Sequence, residues 1–62
     1  MEKPDGWEIM PDEYLGKSSD DYDYYRLGQQ IFRTAEGHTA WTGVIDDLPR
    51  LRRLWKIENP KN

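Results

Sequence analysis

The run Ser18-Ser19-Asp20-Asp21-Tyr22-Asp23-Tyr24-Tyr25 carries the densest chemistry of this chain, three carboxylates interleaved with three of its four tyrosines. Carboxylates can ligate a divalent cation, and Asp21 and Asp23 have the D-x-D spacing that opens a calcium loop. The rest of that loop is missing. Tyr25 stands at the third ligand position, Arg26 where glycine makes the turn, and Phe32 where a bidentate glutamate is needed. No metal site is expected. The same mixture also serves recognition, because carboxylates steer an encounter with a basic surface and tyrosine supplies rigid contact area.

Catalytic groups are sparse. His38 is the sole histidine and cysteine is absent, so a nucleophile with an adjacent base has few ways to form. Asp46-Asp47 would divide acid and base roles only in a cleft that separates their pKa values. A chain of 62 residues has little substance with which to enclose one. The same two residues suit the start of a helix. The five glycines are scattered and form no phosphate loop. The expectation is a non-enzymatic protein without a cofactor.

A second candidate surface is cationic. Arg50, Arg52, Arg53 and Lys56 could contact phosphates of a nucleic acid. Against this stand a formal net charge of -3 and a sequence pI near 4.9, where proteins that read nucleic acid are usually strongly basic. The charge is also unevenly spread. Residues 1–23 hold eight acidic and two basic side chains, residues 24–62 four acidic and seven basic.

Size limits what can position these groups. One domain, 1–62, sits near the lower bound for a self-supporting core, and neither disulfides nor thiolate metal sites can staple it. Docking on a larger protein, or homo-oligomerisation, would supply missing burial. No run approaches the ~20 apolar residues of a membrane span, and the start of the sequence lacks an apolar leader. A cytoplasmic chain without membrane contact is the default. The ends, 1–6 and 58–62, are polar and contain proline, as frayed termini do.

The elements expected from the pattern make a small α+β fold. Trp7–Met10 reads as a short strand stopped by Pro11, and residues 11–23 as an acidic connection. Ile31–Thr34 and Thr39–Ile45 are β-favouring runs around Gly37, which suits a tight turn. They predict a short antiparallel hairpin over about 29–45 in which Phe32 faces Trp41. A C-terminal helix over about 48–57 follows, with Pro49 in its first turn and Leu48, Leu51, Leu54 and Trp55 on one stripe. The core would join Trp7, Ile9, Leu27 or Phe32, Trp41, Ile45, Leu48, Leu51 and Trp55. The rival is an all-α helical hairpin. Tyr24, Leu27, Ile31 and Ala35 fit one face of a helix over 21–36, at the cost of Gly28 inside it.

The functional expectation is a small acidic binding protein, an inhibitor or regulator docking on a basic, nucleic-acid-handling partner. Asp20, Asp21 and Asp23, with Glu8, Asp12 and Glu13, would stand in for phosphates, and Tyr22, Tyr24 and Tyr25 for bases or apolar anchors. Such mimicry is a mode of very small phage or mobile-element proteins. The alternative is a nucleic-acid-binding accessory protein using Arg50, Arg52, Arg53 and Lys56. A third arrangement lays the acidic segment 18–23 across that arginine face, each masking the other.

Overall fold

The computed structural model describes residues 3–59. Four strands run in chain order, β1 (Glu13–Lys17), β2 (Asp23–Leu27), β3 (Gln30–Ala35) and β4 (His38–Val44), all antiparallel in one sheet ordered β1-β2-β3-β4. A 3-10 turn at Ile45–Asp47 leads into α1 (Leu48–Trp55). The fold is α+β, and the helical rival over 21–36 is excluded, because that span forms β2, β3 and the turns around them.

Each hairpin turn has a local cause. Between β3 and β4 the two-residue loop Glu36-Gly37 takes positive φ at both positions (51° and 82°), the type I′ requirement. This loop pairs Phe32 with Trp41 as the sequence predicts. Gly28 (φ 63°) opens the two-residue loop between β2 and β3. The β1–β2 loop closes on Ser18, whose carbonyl accepts from the Asp21 N–H at 3.0 Å, with Asp21 left-handed at φ 69°.

Three expectations are corrected. Trp7–Met10 is not a strand but an irregular segment. The acidic connection 11–23 contains β1, and its Asp12 N–H already bonds the Arg26 carbonyl at 2.8 Å. The helix ends at Trp55, because Lys56 turns left-handed (φ 56°, ψ 48°) and sends Ile57 back into the core. Of the polar ends, residues 1–2 and 60–62 lie outside the described residues. Glu58 pairs with Lys17, each N–H bonding the other's carbonyl at 2.8 and 3.0 Å.

The core lies between the sheet and α1. Leu15, Tyr24, Ile31, Leu51 and Ile57 are buried, with Tyr22, Ile45, Leu48 and Trp55 packed against them. Of the expected core, Trp41 and Ile9 are exposed (58% and 61%); Leu54, expected on the apolar stripe of the helix, is exposed too (58%). Leu54 lies about 90° around the helix from the centre of the Leu48–Leu51–Trp55 arc, given about 100° per residue. A bulge lets Leu15 enter the core: Tyr14 pairs with Tyr25 and Gly16 with Tyr24, so Leu15 is the extra residue. Gly16 has φ 129°, and a Cβ there would lie 2.5 Å from the Glu58 carbonyl oxygen, which explains glycine at this position.

Candidate functional site

The period of two in β2 divides the tyrosine strip between the two faces of the sheet. Tyr22 and Tyr24 point toward α1, and Asp23 and Tyr25 point the other way. Tyr24 is 1% exposed and belongs to the core, so it offers no contact to a partner. Burial pushes its phenol above the ordinary pKa, an effect opposed by Ser18 and Arg33. Tyr22 is half-buried beneath the Arg33 guanidinium, which lies 5.4 Å from the centre of its ring and 5.4 Å from that of Trp55. That ladder fastens the helix to the sheet.

The carboxylates separate in the same way. Asp23 meets Lys17 at 3.3 Å and accepts from the Tyr14 hydroxyl at 2.8 Å. Arg26 gathers Glu13 (3.1 Å) and Asp12 (3.7 Å), and Asp12 also accepts the Gly28 N–H at 2.7 Å. Asp12, Glu13 and Asp23 therefore lace β1 to β2. Asp20 and Asp21 are exposed at the β1–β2 loop, and Glu8 is exposed on the N-terminal segment. None of these three makes a salt bridge among the described residues. Among those residues, no group of three or more His, Asp or Glu side chains is placed to hold a metal ion.

The sheet face away from α1 forms a site that joins residues expected in the core, Trp7, Ile9, Leu27 or Phe32, and Trp41, with Tyr25 of the expected partner-binding strip. The irregular segment lays Trp7 across it, with ring centroids 5.8 Å from Tyr25 and 6.0 Å from Phe32, edge-on to the latter. Tyr14 adds a ring 5.2 Å from Tyr25. Polar handles hold several of these rings. Trp7 Nε1 donates to Thr39 Oγ1 at 2.9 Å, Trp41 Nε1 to Gln30 Oε1 at 2.7 Å, and the Tyr14 hydroxyl to Asp23. Burial, then that hydrogen bond and the Asp23 charge, push the Tyr14 phenol well above its ordinary pKa. An open groove of about 390 Å³ runs between Trp7, Glu8, Ile9, Leu27, Phe32 and Thr39. Beside it stand exposed Ile9, Met10 (49%) and Trp41. The usable signal in the sequence was the alternation Tyr25, Phe32 and Trp41 across three strands, legible only once β2 is read as a strand.

The cationic candidates lie on the opposite side, on α1 and its C-terminus. Arg50 is held by Asp47 at 2.6 Å, a contact that lowers the Asp47 pKa and raises that of Arg50. Arg52 is half-buried and donates to the Ile57 carbonyl at 3.4 Å. Arg53 and Lys56 are exposed. No ion pair joins the segment 18–23 to these cations among the described residues, so the masking arrangement is not adopted. No protein-family model, characterised protein or solved structure matches this chain.

Proposed function

We propose that this chain is a non-enzymatic binding protein, an inhibitor or regulator that docks the open face of its sheet on a basic surface of a larger protein. One observation carries the reading: an aromatic groove with fixed rings is left uncovered beside exposed Ile9, Met10 and Trp41, while Glu8 lines it. Aromatic anchors held in place lose little freedom on binding, and free carboxylates at Glu8, Asp20 and Asp21 complement a basic partner. Mimicry of a nucleic acid now rests on Asp20 and Asp21 with Glu8, since Asp12, Glu13 and Asp23 are engaged internally.

The test is affinity capture from the protein's own cell extract, repeated with variants. A basic protein should be retained at low salt, released as salt rises, and lost with Trp41→Ala or with Glu8→Gln, Asp20→Asn and Asp21→Asn combined. Retention unchanged in both variants overturns the reading. A salt-dependent mobility shift with DNA or RNA, abolished by Arg53→Ala with Lys56→Ala, would move the function to the cationic side.

A further inference from the structure

The two edges of the sheet are finished differently. β1 carries Glu13 and Lys17, is broken by the bulge at Leu15 and Gly16, and has its Lys17 backbone paired with Glu58. Charge, a bulge and a covering segment are the devices that stop an edge from pairing further. β4, from His38 to Val44, has no proline, no Lys or Arg and no carboxylate; its own register shift leaves Thr42 as an extra residue and keeps His38–Trp41 regular, and no described strand lies beyond it. His38, Thr39, Ala40 and Trp41 are all exposed.

The register shows which backbone groups are free. In a hairpin with a two-residue loop, the pair flanking the loop exchanges both hydrogen bonds, and hydrogen-bonded pairs then alternate. Ala35–His38 and Arg33–Ala40 are therefore bonded pairs, whereas Thr39 and Trp41 direct N–H and C=O outward from the sheet. Their side chains stand on the open face, Thr39 lining the groove and Trp41 beside it. A strand added along β4 would gain main-chain bonds from Thr39 and Trp41 and lay alternate side chains on the aromatic face.

Charge selects the occupant. Exposed carboxylates bracket the edge, Glu36 in the turn before β4 and Asp46 two residues after it, and neither makes a salt bridge among the described residues. Glu8 adds a third in the groove. A second copy joined through its own β4 would run antiparallel about a two-fold axis, which sets one end of the strand against the other. Glu36 would then approach Asp46 of the other copy at both ends, and like charges oppose the pairing. A basic strand meets attraction at the same positions. We infer that β4 accepts an extended, Lys- or Arg-containing segment of the partner as a fifth strand, its cations toward Glu36 and Asp46 at the two ends of the edge and its apolar side chains on Trp41. This inference rests on the basic-partner reading and specifies how that partner is held.

The probe is the capped peptide Arg-Val-Lys-Val-Arg-Val, with a version N-methylated at alternate amides and a version carrying Glu for Arg and Lys. Amide exchange and ¹H–¹⁵N spectra of the whole chain are recorded with each. The unmodified basic peptide should slow exchange of the Thr39 and Trp41 amides at least tenfold. N-methylation should weaken binding tenfold or more, and Glu36→Lys with Asp46→Lys should weaken it about fivefold at low salt. The acidic peptide should not bind. Equal binding of the N-methylated peptide, with Thr39 and Trp41 exchange unchanged, overturns strand addition while leaving the basic-partner reading in place. Absence of binding by any basic peptide, together with failure of the capture experiment, removes both. Protection of Thr39 and Trp41 in concentrated protein without peptide makes a second copy the occupant and overturns the inference.

Discussion

The two faces of this sheet are built from different chemistry. The face under α1 packs Leu15, Tyr24 and Ile31 against Leu51 and Ile57, and all five are nearly inaccessible. The other face carries Trp7, Tyr14, Tyr25, Phe32 and Trp41, with Trp41 more than half exposed. Burial of aliphatic surface is non-directional and holds the domain together. Rings with polar handles can stay partly in water in fixed orientations, because Thr39, Gln30 and Asp23 take their hydrogen bonds. A protein this small thus uses one face for folding and keeps the other ordered but open. That division suggests stability and binding can be altered separately.

The largest effect expected from that division is on the closed face. Ile31→Ala removes a side chain with no accessible surface and should cost about 2–5 kcal/mol. In a domain of this size, whose core supplies roughly 3–5 kcal/mol, such a loss leaves a large unfolded fraction. Trp41→Ala, on the neighbouring strand but the other face, should cost about 1 kcal/mol or less, because more than half of the residue is already exposed. Urea denaturation of both variants checks this, and equal losses would break the contrast between the faces.

Next comes the seam that closes the buried side. Gly16→Ala forces an L side chain to φ 129° and drives its Cβ against the Glu58 carbonyl. Strain and overpacking together should cost on the order of 2–4 kcal/mol. The Lys17–Glu58 bonds should open as well. Amide exchange at Lys17 and Glu58 should rise in this variant before the rest of the sheet is affected. Unchanged protection there would show that the bulge, not the chain beyond α1, carries the closure.

Part of this arrangement was legible in the residues. Gly37 between two β-branched and aromatic runs announced the β3–β4 hairpin and its Phe32–Trp41 register, and Pro49 ahead of a leucine stripe announced α1. β1 and β2 were not, because their composition is that of a connection: EYLGK and DYYRL alternate charge with rings instead of presenting apolar runs. Cross-strand partners were the missing cue. Arg26 sits opposite Glu13 and Asp23 opposite Lys17, and Gly28 heads a two-residue turn. Without β2 as a strand, Tyr22–Tyr25 read as one strip, and the period that buries Tyr24 and exposes the opposite face was lost.

A smaller effect compares the tyrosines of the two faces. Tyr14 and Tyr24 both have folded pKa values raised above the ordinary phenol value near 10. The folded state then holds protons that the unfolded chain releases, so this stability is complete below about pH 10 and is lost as pH climbs further. Tyr14→Phe should cost about 0.5–1.5 kcal/mol at neutral pH through its lost bond to Asp23. Above pH 10 the gap to the parent should narrow, since the variant has no phenol to ionise at that site. Melting temperatures from pH 8 to 11 test it, and parallel curves would show that folding does not raise the Tyr14 pKa.

The smallest effect concerns Glu36, at the end of the free edge. It holds φ at 51°, where a glutamate is disfavoured and asparagine is tolerated. Asn-Gly is the preferred pair for this turn, so Glu36→Asn should stabilise the hairpin by about 0.5–1 kcal/mol. The same change removes one of the carboxylates that bracket β4. If the open face and its edge serve a basic strand, the variant should melt higher yet bind the basic peptide about twofold to threefold more weakly, with a shallower salt dependence. A gain in stability with no change in binding would assign Glu36 to neither face. A gain in one and a loss in the other would mark it as a residue whose local cost is offset by what the edge receives.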